Sequence, residues 1–198
     1  MRIIAGQHKG RKLLGPKGQV TRPITDRAKT ALFSILAAAV EGAVVVDLFS
    51  GTGSLGLEAL SRAAASCCFA ERDRAAVDRL RRNIDAMGLA GRCTIWRGDV
   101  LRLLGHWLAG LGGDVDIAFV DPPYALARRL STEELTAKLF APLAGRLAPG
   151  GVVVFRCESN IPLPDALGPL SVRQRRTYGK MTLTFLEAAQ AERNTEKG

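Results

Sequence analysis

The chain has 198 residues, enough for one well-buried core and too few for two comfortable domains. With 47% apolar and 24% charged residues it has the composition of a soluble globular protein, no apolar run nears the roughly 20 residues that span a bilayer, and Met1-Arg2-Ile3-Ile4-Ala5-Gly6 lacks a signal-peptide core. The net charge of +9 points away from cationic partners and towards a polyanion.

Most of that excess lies at the amino end. Arg2, Lys9, Arg11, Lys12, Lys17, Arg22, Arg27 and Lys29 stand there against one acid, Asp26. Arg2-Ile3-Ile4 and Arg11-Lys12-Leu13-Leu14 mix basic with apolar residues around Gly6 and Gly10, a pattern that fits a short β-hairpin better than a solvated tail. Residues 1–24 are therefore expected to form a basic RNA-binding extension. Its phosphate-contacting residues would be Arg2, Lys9, Arg11, Lys12 and Arg22, with Arg27 just beyond.

A first helix is predicted over 26–36, capped by Thr25 or Asp26. Apolar, β-branched runs then predict strands at 43–49, 66–71, 93–97, 115–121 and 150–156, separated by helices at about 54–63, 73–87, 100–110 and 132–147. Such alternation specifies an α/β fold, a doubly wound, mostly parallel sheet covered on both faces. Residues 172–178 and 181–187 are joined only by Gly179-Lys180, too short for a crossover, so they should close the sheet as an antiparallel hairpin. The main domain is thus placed at 25–188, followed by a polar tail at 189–198. Cys67, Cys68, Cys93 and Cys157 lack metal-ligand spacing and read as reduced core thiols, with Cys67 and Cys68 on opposite sheet faces. His8 and His106 are too isolated to suggest a metal, so no metal site is expected.

The first strand ends at Asp47-Leu48-Phe49 and runs into Ser50-Gly51-Thr52-Gly53-Ser54-Leu55-Gly56, a glycine loop between strand and helix. Such loops let a nucleotide-containing cofactor approach the main chain. Gly51, Gly53 and Gly56 match a dinucleotide fingerprint, and Glu71 lies where such an enzyme keeps its ribose-binding acid, so an NAD-dependent oxidoreductase is a real rival. Against it, Asp47 would oppose a pyrophosphate, Asp99 adds an acceptor after the third strand, and no Tyr-x-x-x-Lys or catalytic histidine supplies a proton donor. Asp47, Glu71, Asp99 and Asp121 recur at the ends of four successive strands. That set suits S-adenosylmethionine, which carries an ammonium and a sulfonium and no phosphate. Asp99 could equally be a helix cap, Glu71 a surface acid, and Glu58 a solvent-facing or helix-pairing residue.

The tetrapeptide Asp121-Pro122-Pro123-Tyr124 closes the fourth strand. Two prolines remove two N–H donors and leave carbonyl acceptors, the Asp121 carboxylate adds acceptor capacity, and Tyr124 offers a flat face to a base. This patch suits an amino group, although the tetrapeptide alone would also serve as an ordinary strand-ending turn.

Taken together, Arg2-Ile3-Ile4-Ala5-Gly6, Gly10-Arg11-Lys12-Leu13, Arg22-Pro23-Ile24-Thr25-Asp26-Arg27, the run from Asp47 to Arg62, and Asp121-Pro122-Pro123-Tyr124 resemble the bacterial 16S ribosomal RNA guanine-N2 methyltransferases. Ile24 departs from the threonine common among them. The resemblance implies a seven-stranded Rossmann-like methyltransferase fold with S-adenosylmethionine as cofactor. Asp47, Phe49, Gly51 and Gly53 would contact the methionine end of the cofactor or its neighbourhood, Glu71 the ribose and Asp99 the adenine. Asp121, Pro122, Pro123 and Tyr124 would hold the target guanine, with Asp121 also bordering the cofactor. It further implies a cytoplasmic monomer acting on 16S rRNA within the small subunit or an assembly intermediate. Similar tetrapeptides occur in adenine-N6 DNA and glutamine-N5 protein methyltransferases, and a non-catalytic RNA-binding protein could use the same fold.

Overall fold

A computed structural model describes residues 1–16 and 24–189. Five parallel strands form one side of the sheet: β1 (Val44–Leu48), β2 (Ser66–Glu71), β3 (Cys93–Arg97), β4 (Val115–Val120) and β5 (Leu147–Glu158). The sheet continues through β6 (Ala166–Leu167), β7 (Leu170–Tyr178) and β8 (Met181–Ala188), in the spatial order 3-2-1-4-5-8-7-6. The hairpin of β7 and β8 is antiparallel and enters beside β5, as the short Gly179-Lys180 joint requires. An eighth strand was not foreseen. It is the two-residue β6, too short to carry a periodic signal.

The central strands β1, β2 and β4 are buried on both faces because helices cover both, while β3, at the sheet edge, stays partly exposed. Helices α1 (Asp26–Leu36), α2 (Ser54–Ser61) and α3 (Arg74–Ala86) pack Phe33, Leu57 and Leu80 into one cluster with Val45, Phe69 and Phe119. On the opposite face α4 (Val100–Ala109) and the segment from 132 to 144 pack Leu104, Leu139 and Phe140 against Val46, Val120 and Phe155. Cys67 and Cys68 fall in different clusters, as alternation along β2 demands. Thr25 caps α1 by accepting from the Ala28 amide at 3.2 Å. No helix among the described residues is long and apolar enough to cross a membrane.

Two segments depart from the expected elements. The first is the stretch after β4, where α5 (Tyr124–Arg129) starts directly after the two prolines. The second follows it: in place of one helix over 132–147 stand α6 (Thr132–Leu135), a π-helical turn (Thr136–Phe140) and α7 (Ala141–Ala144). Pro142 explains the break, since it has no N–H to donate back and its ring crowds the preceding turn. The strand after it starts early, at Leu147, and pairs with Val115 before a register shift resumes at Val152 and Ile117.

The first fourteen residues dock on this body. Arg2 and Lys12 form a single antiparallel bridge, supported by Ile3 N–H to Arg11 O and Gly10 N–H to Ile3 O, both 2.9 Å. Ile3 and Leu13 are buried in the α1–α3 cluster. Gly6 has a φ of 80°, and a Cβ there would collide with the Ser61 carbonyl, so this turn lies flat on the end of α2.

Candidate functional site

The chain runs outward from β1 to β2 and β3, then returns to place β4 on the other side of β1. That reversal opens a crevice at the carboxyl ends of β1 and β4, the position where open α/β sheets bind ligands. Asp47 occupies β1 one residue before its end, and Asp121 follows β4 directly. Glu71 ends β2, and Asp99 caps α4 after β3. The four predicted acids therefore border one edge of the sheet.

Asp47 is the most constrained of them. It is 1% exposed, its Oδ2 accepts the Gly56 amide at 2.8 Å, and burial raises its carboxyl from 3.8 to about 7, the Gly56 bond opposing this and Asp121 and Glu71 adding to it. Gly56 owes its identity to packing, because a Cβ would lie 2.6 Å from Cys67 Sγ and also strike Phe69. Phe49, Gly51 and Gly53 all turn with positive φ, at 60°, 56° and 81°. For Phe49 this is a strained conformation, held by packing of its half-buried ring on the α4 face.

Glu71 Oε2 accepts the Gly51 amide at 2.9 Å, while Oε1 accepts those of Arg72 and Asp73 at 2.8 Å each. Three of its about four lone-pair sites thus shape the loop, with capacity left for a ligand hydroxyl. Asp99 is indeed a cap: Oδ1 accepts the Leu101 amide at 2.9 Å, and Oδ2 lies 3.6 Å from Arg72. Its side chain stays 38% exposed, so capping does not remove it from the crevice.

Asp121 pairs with a residue that sequence reasoning missed. Arg156, on β5, donates from Nε to Asp121 Oδ1 at 2.6 Å, and its guanidinium carbon lies 5.9 Å from the centre of the Tyr124 ring. Burial pushes the Asp121 carboxyl up, and Arg156 pulls it back. Pro122 is buried, Pro123 is exposed, and the Pro123 carbonyl closes the first turn of α5 by accepting from Leu126 and Ala127 at 2.8 and 3.0 Å. Tyr124 is half-buried at the head of that helix. The signal available was an arginine inside the apolar run Val152–Cys157.

Of the predicted RNA contacts, Arg2, Lys9, Arg11, Lys12 and Arg27 are exposed, and Arg22 lies outside the described residues. Arg2 pairs with Asp26 at 2.9 Å, and Arg11 donates to the Ala86 carbonyl. Lys29 does not belong to that surface. It is 1% exposed and bonds the Arg2 carbonyl at 2.7 Å while pairing with Glu58 at 3.2 Å. Glu58 does pair along its helix, with Arg62 at 2.9 Å, but it is fully buried and not solvent-facing. Its oxygens accept the Ile4 and Ala5 amides at 2.7 and 3.0 Å. Asn83, also missed, ties the glycine loop to the hairpin through Thr52 O at 3.0 Å and Leu14 N at 2.8 Å.

The donor set tests well for S-adenosylmethionine. Carboxylates border the crevice where a pyrophosphate would be repelled, and buried Ser50 Oγ in the loop has no partner among the described residues, as expected where a polar ligand group completes the bonding.

Comparison with known proteins agrees. The family described as conserved hypothetical protein 95 matches residues 1–187. The ribosomal RNA small subunit methyltransferase D of Escherichia coli strain K12 is 34% identical over 197 residues, covering 99% of this chain and 94% of that protein. Among solved structures, the Escherichia coli protein yhhF has a TM-score of 0.79 at 34% identity, covering 96% of this chain and 99% of that one. A hypothetical protein of Thermus thermophilus gives 0.78 at 29% identity, covering 95% and 99%. The sheet is that of a class I methyltransferase, and the chain belongs to the ribosomal RNA small subunit methyltransferase D family.

Proposed function

We propose that the protein methylates the exocyclic N2 amino group of one guanine in 16S rRNA, as a cytoplasmic monomer acting on the small subunit or its assembly intermediate. The observation that carries this reading is the placement of Asp47 and Asp121 on either side of the β1–β4 crevice, with the donor-poor Pro122-Pro123 segment beside Asp121. S-adenosylmethionine would be held by Asp47, the Gly51–Gly53 loop, Glu71 and Asp99 and would supply an electrophilic methyl group, its sulfonium–methyl bond breaking to leave a neutral thioether as the nitrogen–methyl bond forms and the amine sheds one proton to solvent.

The residues around Asp121 do the rest. A guanine amino nitrogen is a weak nucleophile because its lone pair is delocalised into the ring. The Asp121 carboxylate and the Pro122 carbonyl accept its two N–H bonds, which localises the lone pair and fixes its direction. Tyr124 stacks on the base once it has left its helix. The buried walls around Asp47 and Asp121 exclude water and strengthen these fixed dipoles, so orientation and preorganisation account for most of the acceleration. Exposed Lys9, Lys12 and Arg27 bind phosphates of the flanking RNA.

The test is methyl transfer to unmodified small subunits and to naked 16S rRNA, with the modified nucleotide mapped. Asp121→Ala should still bind S-adenosylmethionine by calorimetry and lose methyl transfer. Transfer by that variant at the wild-type rate would refute the assignment.

A further inference from the structure

We propose that Arg156 is a positioning residue for methyl transfer, holding the Asp121 carboxylate in its charged, oriented form and backing the Tyr124 ring. The inference rests on the reading of Asp121 to Tyr124 as the target-base site.

Arg156 is a costly residue where it stands. It lies inside an interior strand and is only 8% exposed, where an arginine is almost never found unless it is paired. The fold has no need of charge there, since an apolar side chain of similar volume serves a buried strand as well or better. Register explains what the arginine does instead. Val120 pairs with Phe155, so Asp121 and Arg156 follow at the same level on neighbouring strands. Arg156 pairs across to Leu183 of the α1–α3 cluster, whereas Phe155 packs in the opposite cluster. Asp47, which pairs with Phe119, thus lies on the same face of the sheet as Asp121 and Arg156, one same-face step below their level.

The bond from Arg156 Nε to Asp121 Oδ1 is short, at 2.6 Å, between side chains 10% and 20% exposed. A charge-assisted bond of this kind fixes the carboxylate plane and leaves it lone-pair sites for the target amino group. It also offsets the desolvation that would otherwise neutralise Asp121. A protonated Asp121 would offer one fewer acceptor to the amino group and no negative charge to the cationic cofactor. The guanidinium under Tyr124 couples the base-stacking ring to the same anchor.

Asp121 faces Asp47 from β1, Arg156 from β5 and Tyr124 from α5, and Arg156 reaches Met181 Sδ on β8 at 3.7 Å. Burial pushes the Asp47 carboxyl up to about 7, so the experiment must separate the two acids. The kcat and KM of Arg156→Met, Arg156→Lys, Asp121→Asn and the double variant Asp121→Asn/Arg156→Met would be measured against pH, with S-adenosylmethionine affinity by calorimetry. Arg156→Met should lower kcat at pH 7 on the order of a hundredfold, a loss typical of a misplaced reacting group. It should move the acid limb of kcat upward by about one to three units, as removal of an adjacent opposite charge does. Cofactor affinity should change little. Arg156→Lys should restore much of the pH position and less of the rate, because an ammonium keeps the charge and loses the planar fork. On the Asp121→Asn background, where any residual acid limb belongs to Asp47, Arg156→Met should leave that limb in place.

An Arg156→Met enzyme whose kcat falls only with its folded fraction, on an unmoved profile, would overturn the proposal and leave the arginine a packing residue. A shift of equal size on the Asp121→Asn background would also overturn it, by assigning the effect to Asp47. Loss of activity in Asp121→Ala alongside a wild-type profile in Arg156→Met would remove the positioning role alone. Wild-type activity in Asp121→Ala would remove the target site and this proposal with it.

Discussion

Asp47 sits in an electrostatic conflict that the proposed cationic cofactor would resolve. Its carboxyl is raised from 3.8 to about 7 by burial, so between these values the folded protein holds a proton that the unfolded chain has released. Stability from this residue therefore falls as pH rises from about 4 to 7, and the penalty is complete above 7. Asp47→Asn should stabilise the cofactor-free protein by about 1–4 kcal/mol at pH 8 and by less at pH 5, with the midpoint of urea unfolding as the measurement. The same variant should lose cofactor affinity, and S-adenosylmethionine binding to the wild type should strengthen between pH 5 and 7 as Asp47 ionises. Glu58 presents the opposite case, a buried charge already satisfied. Both its oxygens accept backbone amides, so Glu58→Gln would turn a donor towards Ile4 or Ala5 and strand the Lys29 ammonium, whose burial already lowers its pKa. The expected loss is about 3–5 kcal/mol in chemical denaturation.

The element that organises the proposed cofactor side is the β1–loop–α2 unit. Its glycines divide the work: Gly51 and Gly53 turn the chain, and Gly56 lets α2 press against Phe69 and Cys67 of β2. Gly56→Ala should cost about 1–3 kcal/mol in thermal or urea unfolding, as overpacking of a full core does. This unit was readable in the sequence because its signals are local, an apolar strand, glycines at fixed spacing and an amphipathic run. For the same reason the caps read at Thr25 and Asp99 hold, each bonding an amide within three residues of itself. The α5 helix was hidden by the two prolines, which look like the end of an element and in fact start one. The π-helical turn and the early start of β5 come from Pro142 and the register with β4, and the second of these is set by a partner strand. Arg156 with Asp121, and Lys29 with Glu58, meet only after the sheet order is known. The Asp121–Arg156 partners lie 35 residues apart, and no periodicity connects them.

At the scale of the whole molecule, the proposed methyl-transfer site and the proposed RNA grip are built into one body. The crevice takes its shape from the strand order, while the exposed cations Lys9, Lys12 and Arg27 stand on the hairpin and on α1, which pack together through Ile3 and Leu32. Replacing Lys9, Lys12 and Arg27 by alanine should weaken RNA binding and reduce the slope of log K against log salt by about 0.7–0.9 for each phosphate no longer neutralised. Cofactor affinity should be unchanged, and filter binding over a salt series measures the first effect. Point substitutions suit this purpose better than truncation, because Ile3, Leu13 and the bonds to Glu58 make the hairpin part of the core.

That docking also sets an order of events during synthesis. Residues 1–14 are made before their partners, which are Glu58 and Ser61 on α2 and Asn83 on α3. Ile3 and Leu13 must therefore wait, uncovered, until Asn83 and the rest of α3 have emerged, and the hairpin becomes native only after α3 has packed. A newborn chain stalled before Asn83 would carry a protease-sensitive amino terminus, and one stalled after β4 would not.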